Sequence, residues 1–303
     1  MDRFREMEVF VAVVEAGSFV GAATSLRMSP PAVTRAVAAL EDRLGVRLLT
    51  RTTRALRLTE AGARFVARAS RLLVETAAAE QDAAGEAGEP TGHLVLTASS
   101  TFGRSVLAPL VAEFRDAHPR VTVSARFLDR VVDLVEEGVD IAVRIAELPD
   151  SSLVARRVGE VRRLLVASPA YLKASGMPKT PTDLHGHAVI AFTGLMIGGV
   201  WRYRAANGKM RAIALDPGFE VNDALAALAA AEAGSGIAPA LSYMVADALA
   251  AGRLVPVLED FSPAPVPVHL VHGQGRLVPP KVRAFMDFAA PRLAATLVRY
   301  CSK

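Results

Sequence analysis

Residues 18–44 constrain the fold more than any other stretch, because they read as two short helices joined by a tight turn. Ser18 caps the first, and Phe19, Ala22, Ala23 and Leu26 recur at helical spacing to give it one apolar face. Ser29 starts the second, its hydroxyl an acceptor for an otherwise orphan backbone N–H. Pro30 and Pro31 take first-turn positions, where a missing N–H and a fixed φ cost little. Val33, Val37, Leu40 and Leu44 then face inward, and Pro31, Arg35, Ala38 and Asp42 outward. Small residues and an arginine lie early on the outer face, with an acid only at its far end. The dipole and free N–H groups of that first half suit a polyanion.

Charge supports the same reading locally rather than globally. Lys+Arg 35 against Asp+Glu 31 leaves the whole chain at only +4. Between Arg27 and Arg71, however, ten arginines stand against three acids, Glu41, Asp42 and Glu60. A basic stretch that coincides with a helix-turn-helix pattern is an electrostatic footprint for phosphate, whereas a charge cluster taken alone is usually a solvated face.

Residues 2–16 form a further helix with Phe4, Met7, Phe10, Val11 and Val14 on one face and Gly17 as a left-handed stop. After Leu44 the chain reads as a two-stranded wing, with Arg51 and Arg54 flanking Thr52 and Thr53 at its tip. Thr59 caps a long helix running to about Gly85. Along it Leu58, Gly62, Phe65, Ala69, Leu72, Thr76, Ala79 and Ala83 repeat at alternating spacings of four and three, a two-helix seam that either a second copy or the helix's own domain can cover. A hinge rich in glycine, residues 85–92, marks a domain boundary.

At 303 residues the chain is too long for one ordinary core, and half of it is hydrophobic. From His93 onward strands and helices alternate, which predicts parallel sheets from βαβ units. Strands are expected at 94–97, 121–127, 139–144, 162–167, 189–192, 237–239 and 266–271. Helices are expected at 103–118, 131–137, 224–233 and 279–298, with helical turns near Ala170 and Thr182. Two lobes joined by crossing segments would leave a cleft at the strand carboxyl ends. Ser99, Ser100 and Thr101 after the first strand, Arg144 at another strand end, and Asn222–Asp223 before a helix fall there. Each also reads as an ordinary cap or strand-end residue.

No catalytic constellation is found. His185/His187 and His269/His272 lack carboxylates or cysteines at a metal-ligand spacing, Gly234-Ser235-Gly236 lacks the flanks of a nucleophile elbow, and no phosphate-binding glycine motif occurs. No metal or cofactor is expected. The single cysteine, Cys301, excludes an intrachain disulfide. Charges throughout the first fifteen residues argue against a signal peptide, and the apolar run at 224–231 is too short for a membrane span. A cytoplasmic protein is expected.

The residues resemble the LysR-type transcriptional regulators. The resemblance is carried by Phe10 to Phe19, Ala22-Ala23, Leu26, Ser29, Pro31-Ala32-Val33, Arg35, Leu40-Glu41, Leu44-Gly45, Leu48-Leu49, Arg51 to Arg54 and Leu58 to Gly62. In the C-terminal part Val132 to Ile145, Val166 to Leu172 and Asn222-Asp223 look like that family's effector domain, most of all its branch regulating aromatic-compound and stress genes. It implies an α/β protein with a winged helix-turn-helix at 1–58, a dimerising linker helix and hinge at 59–91, and a two-lobed domain like type 2 periplasmic-binding proteins at 92–303. Lobe I would take about 92–162 and 268–303, and lobe II about 163–267. Double-stranded promoter DNA, an aromatic or carboxylate effector, RNA polymerase and further copies in a homodimer or homotetramer are the implied partners.

The resemblance places Ser18, Ser29, Pro30, Pro31, Thr34, Arg35, Arg51, Thr52, Thr53 and Arg54 at DNA. It places Ser99, Ser100, Thr101, Phe102, Arg144, Ile145, Asn222 and Asp223 at the effector, and Phe65, Ala69, Leu72 and Thr76 at the dimer seam. Many members carry glutamine where Pro30 and Ala36 stand here, so two adenine-reading side chains are absent and DNA shape would carry more of the recognition. The competing class is a small-molecule-binding protein or two-lobed enzyme whose N-terminal helices only oligomerise.

Overall fold

The structure, a computed structural model, describes residues 2–52, 55–83, 90–148, 153–273 and 278–301. Contacts divide the chain into two compact units, Met1–Gly88 and Glu89–Lys303.

In the first unit, α1 (Arg3–Ala16), α2 (Phe19–Ser25) and α3 (Pro30–Leu44) precede the hairpin β1 (Leu49–Thr52) and β2 (Ala55–Leu58), and α4 (Glu60–Ala83) follows. Gly17 ends α1 in the left-handed conformation, φ 62°, and Ser18 Oγ accepts from the Gly21 N–H at 3.0 Å, as the sequence predicts. The inward face of α1 is the predicted one only in part: Phe10 and Val11 are buried and Val14 packs against the core, but Val9 and Val13 are buried with them and Phe4 is 46 % exposed. The stripe is centred one position round because Glu6, on the same face, is buried and accepts from the Arg43 guanidinium of α3 at 3.0 Å. Val33, Val37 and Leu40 complete the core with Ala22, Ala23 and Leu48, and Leu44 is exposed.

Thr59 caps α4, its hydroxyl accepting from the Gly62 N–H at 2.9 Å and donating to the Arg47 carbonyl at 2.8 Å. The first half of the α4 stripe is used within this unit. Ala69 is fully buried, and Phe65 packs edge-on against Phe10 at 5.7 Å. Ala69 is thus taken up by the core of this unit, and Phe65 is half-buried against it. Leu72, 47 % exposed, lies beyond that contact.

The second unit starts with β3 (Gly92–Ala98). One continuous helical segment follows: α5 (Ser100–Phe102), a π-helical stretch Gly103–Leu107 and α6 (Ala108–Ala117). Then come β4 (Val121–Phe127), β5 (Ile141–Ile145), β6 (Val154–Val161), β7 (Arg163–Ala167), α7 (Pro169–Ser175), a 3-10 turn Pro181–Gly186 and β8 (Ile190–Phe192). The hairpin β9 (Val200–Arg204) and β10 (Met210–Ala214), β11 (Phe219–Val221), α8 (Ala224–Glu232), β12 (Ala238–Leu241), α9 (Ser242–Ala250), β13 (Val255–Val257), β14 (Val266–His272) and α10 (Pro280–Cys301) complete it.

Five strands form one sheet in the order β4-β3-β5-β14-β6. β3 runs parallel to β4 and β5, but β14 is antiparallel to β5 and β6, and β7 is antiparallel to both β12 and β13. The sheets are mixed, not parallel throughout, because the chain crosses between lobes and returns strands in the opposite sense. On one face of the large sheet Leu94, Leu96, Val268 and Leu270 pack with Phe102, Phe114, Phe285 and Leu293. The second lobe holds its own clusters, around Val166, Ala227 and Ala240 and around Leu165, Leu184 and Trp201. The expected helix at 131–137 is a turn instead. Asp133 Oδ1 accepts from the N–H groups of Val135 and Glu136 at 2.8 and 2.9 Å, a local bond that competes with helix propagation after two β-branched valines.

No single helix among the described residues is long and apolar enough to cross a membrane. Lys281 of α10, almost fully buried, donates to the His93 carbonyl and to Asp140 Oδ2 at 2.8 Å. It ties the last helix to the two parallel strands that bear Ser99 and Arg144. Replacing Lys281 with Ala strands a partly buried carboxylate, and denaturant unfolding should register a loss of about 3 kcal/mol.

Candidate nucleic-acid interface and effector cleft

The start of α3 is built differently from the sequence expectation. Ser29 occupies the N-cap position, but its hydroxyl makes no cap bond. Pro30 and Pro31 have no N–H to offer, and the next two, of Ala32 and Val33, both reach the Ser29 carbonyl at 2.9 and 3.1 Å. The free N–H groups expected to attract a polyanion are thus absent, and the Ser29 hydroxyl is released for an outside partner. What the outer face offers is side chains: Ser29, Pro30, Pro31, Arg35 and Ala38 are exposed and Thr34 is half-buried. Arg35 joins no ion pair among the described residues, unlike Arg43, Arg47 and Arg64. Ala36 is 1 % exposed and belongs to the core. Of the two positions where relatives by resemblance carry glutamine, only Pro30 lies on the open face here.

The hairpin pairs Leu49 with Leu58, Thr50 with Arg57, Arg51 with Leu56 and Thr52 with Ala55, the expected wing. Its tip residues Thr53 and Arg54 lie outside the described residues. One carboxylate positions the hairpin. Glu41 on α3 is 7 % exposed; its Oε1 accepts from the Leu48 and Leu49 N–H groups at 2.7 and 3.0 Å, and its Oε2 from Arg47 at 3.0 Å. Sequence reasoning counted Glu41 as one of three acids in the basic stretch and named it in the resemblance, without a role. Its only signal is its place one residue after the buried Leu40, on the inner face of α3.

In the second unit the residues expected at the cleft divide into two groups. Ser99, Ser100, Thr101 and Phe102 follow the carboxyl end of β3. The Ser100 N–H donates to Asp129 Oδ1 at 2.8 Å, and Leu128, just beyond β4, donates its N–H to the Ala98 carbonyl at 2.9 Å. Gly103 permits this closeness, since a Cβ there would strike the Phe127 ring. Thr101 and Phe102 are buried and support the loop rather than line a cleft. Arg144 donates to the Val132 carbonyl at 3.0 Å, pinning the 131–138 turn, with Ile145 half-buried beside it. On the second lobe Asn222 is exposed, and Asp223 caps α8 by accepting from the Ala226 N–H at 2.7 Å, so Asp223 is a helix cap first.

Two residues here were not anticipated. Asp129 stands two residues past a strand end, a position an acid shares with many loops. Tyr243 lies on α9, a helix the sequence hides because it begins directly at the end of β12 with no polar residue at Leu241 to cap it. Tyr243 reaches from α9 into the large-sheet core and meets the Phe102 ring edge-on at 5.1 Å. The crossing segments beside it are joined by the Arg162 N–H donating to Ser242 Oγ at 3.1 Å and the Ser242 N–H donating to the Arg162 carbonyl at 2.9 Å. No group of three or more metal-ligating side chains occurs among the described residues.

Glu41 supplies the only side-chain acceptor found for two buried backbone donors. Glu41→Ala should lower the stability of the first unit by about 2–3 kcal/mol, with helical content retained below the transition, as read by circular dichroism during urea unfolding.

Comparison with known proteins agrees with both units. Residues 4–63 match the model for bacterial regulatory helix-turn-helix proteins of the lysR family, and residues 87–294 match the LysR substrate binding domain. The chain is 37 % identical to the HTH-type transcriptional regulator CrgA of Neisseria meningitidis serogroup B, over 96 % of this chain and 97 % of that protein. Among solved structures, CrgA, a LysR-type transcriptional regulator from Neisseria meningitidis, superposes with a TM-score of 0.62 at 36 % identity, covering 95 % of this chain and 98 % of that one. The full-length Vibrio cholerae virulence activator AphB gives 0.60 at 30 % identity, covering 95 % and 98 %. With a lysR-family helix-turn-helix and a LysR substrate binding domain in one chain, and relatives similar over nearly its whole length, the chain belongs to the LysR family of transcriptional regulators.

Proposed function

We propose that this regulator works in the cytoplasm, binding a dyad-symmetric promoter site as a homodimer or homotetramer and changing its hold on DNA when a small molecule enters the two-lobed unit. The observation that carries this reading is the outer face of α3, where Arg35 stands exposed beside Pro30 and Pro31 and joins no ion pair among the described residues. In this reading residues 1–58 bind DNA, 59–91 form the linker helix and hinge, and 92–303 bind the effector.

α3 enters the major groove with Ser29, Thr34 and Arg35 at base edges, and Ser18, Pro30 and Pro31 lie against the backbone. Arg51, Thr52, Thr53 and Arg54 of the wing contact phosphate or a narrow minor groove. Leu72 and Thr76 extend the seam of α4 toward a second copy, fixing the half-site spacing. The effector, an aromatic or carboxylate compound, sits near Ser99, Ser100, Arg144 and Asn222. Contact with RNA polymerase passes the response on, and no catalytic step is required.

Titrating duplexes from the chain's own upstream region tests the reading: sequence-preferring binding that weakens steeply with salt supports it, and sequence-indifferent binding overturns it. Arg35→Ala should relax discrimination at one base pair by about 1–3 kcal/mol, while Arg54→Ala should weaken every sequence alike and lower the salt slope by about one. Equal losses across all sites for both variants would reverse these role assignments.

A further inference from the structure

The hairpin of β9 and β10 stands apart from the other sheets, its two strands paired only with each other among the described residues. Trp201, Tyr203 and Ile213 turn one face toward the core of the second lobe, with the Trp201 and Tyr203 rings stacked at 5.3 Å. Strand alternation sends Arg202, Arg204, Met210 and Ala212 to the other face, and all four are exposed. The turn is held from within: the Gly208 N–H donates to the Ala205 carbonyl at 2.8 Å, and the Lys209 N–H to Asn207 Oδ1 at 3.1 Å. Residues 200–214 carry four cations, Arg202, Arg204, Lys209 and Arg211, and no acid. None of the four joins an ion pair among the described residues, whereas Arg130, Arg156, Arg157, Arg162, Arg253 and Arg292 of the same unit each hold a carboxylate. Glu259 and Asp260 lie on the turn that packs behind Tyr203 through Phe261, on the covered face, and Glu259 is held by Arg162.

Cations on an open strand edge often serve only to block pairing with another chain. Arg202 and Arg204 do not fit that use, because their side chains leave the face of the ribbon rather than its edge. At about 3.4 Å per residue they stand about 7 Å apart on a pre-ordered backbone, a spacing that suits neighbouring phosphates of one DNA strand. A protein partner would need acids placed to match them. A duplex presents anions wherever it passes, and this chain's function brings it to a duplex. We propose that the β9–β10 ribbon is a second, sequence-independent DNA-contacting surface, which holds phosphates of the duplex flanking the operator. The inference goes beyond the reading of residues 1–58 as the operator-binding part and rests on that part to bring the DNA near.

Two duplexes from the chain's own upstream region are compared on the full-length protein, one trimmed to the protected operator and one extended by about 20 base pairs of scrambled sequence on each side. The wild type should bind the flanked duplex about tenfold more tightly at low salt, with a salt slope steeper by about two to four. Arg202→Ser/Arg204→Ser should lose at least about fivefold of that gain and reduce the slope by about two, yet hold the trimmed duplex within about twofold of wild type. Lys173→Ser/Lys179→Ser, which removes the same charge from exposed sites elsewhere in the lobe, should change neither quantity. Arg202→Lys/Arg204→Lys should keep the gain, because a phosphate contact asks for charge rather than for a guanidinium. Lys209→Ser/Arg211→Ser at the turn provides the same comparison should the first variant not fold. If the flanks add nothing for the wild type, if the serine variants of the ribbon keep the wild-type gain and slope, or if the Lys173/Lys179 control loses as much, the DNA assignment is overturned. Unchanged binding to both duplexes with a loss of transcription by added RNA polymerase also overturns it and gives the ribbon to the polymerase. If the wild type does not bind even the trimmed duplex, the operator-binding reading itself fails and this inference falls with it.

Discussion

The winged unit depends on one buried carboxylate. Glu41 sits on the inner face of α3, and its two oxygens take the first two N–H groups of the wing and the Arg47 side chain. Apart from Leu48 and Leu49 packing into the core beside Val37 and Leu40, helix and hairpin would otherwise be joined only by a short loop. Because the carboxylate accepts charge-assisted bonds in a poorly solvated place, the angle between helix and hairpin is held rather than sampled. Glu6 repeats the device between α1 and α3 through Arg43. The two ion pairs leave the outer face of α3 free of internal obligations, and an interface needs that freedom.

The second unit solves a different problem. Its two lobes are connected where Arg162 and Ser242 exchange backbone and hydroxyl bonds, and immediately beyond that junction Tyr243 crosses into the core of the larger sheet. A side chain belonging to one lobe by sequence and to the other by packing couples them: any group that bonds its hydroxyl also biases the crossing point. A ligand shifts such an equilibrium only by as much as it prefers one arrangement.

Local signals were legible and long-range ones were not. Ser18, Gly17 and Thr59 act on residues within four positions, and each does what its sequence context implies. The apolar strands β3, β4 and β14 and the helix α10 follow their patterns for the same reason. Glu41 and Glu6 went unrecognised because a buried carboxylate is indistinguishable in sequence from a solvated one until its partners, Leu48 and Arg43, are known to be near. The face of α1 was read without Val9 and Val13 and with Phe4 through the same omission. Phe65 and Ala69 fit a seam by spacing, but spacing does not say which surface covers it, and here Phe10 does. α9 was missed because its start has no polar cap, and the antiparallel return of β14 because strand direction depends on which lobe the chain has just left.

The prolines that open α3 bear on how such a protein would discriminate sequences. A helix N-terminus with free N–H groups binds phosphate wherever a backbone passes, adding affinity without selectivity. Pro30 and Pro31 remove two of those donors, and the Ser29 carbonyl takes the next two. Non-specific attraction at the helix tip is thereby reduced to the dipole, and in the proposed docking the remaining contacts would fall to the Ser29 hydroxyl and to Arg35. With Ala36 withdrawn into the core, few side chains remain on that face. A reader so sparse must draw much of its selectivity from how readily the duplex deforms to meet the wing and the second copy, since sequence-dependent bending discriminates at positions no side chain touches.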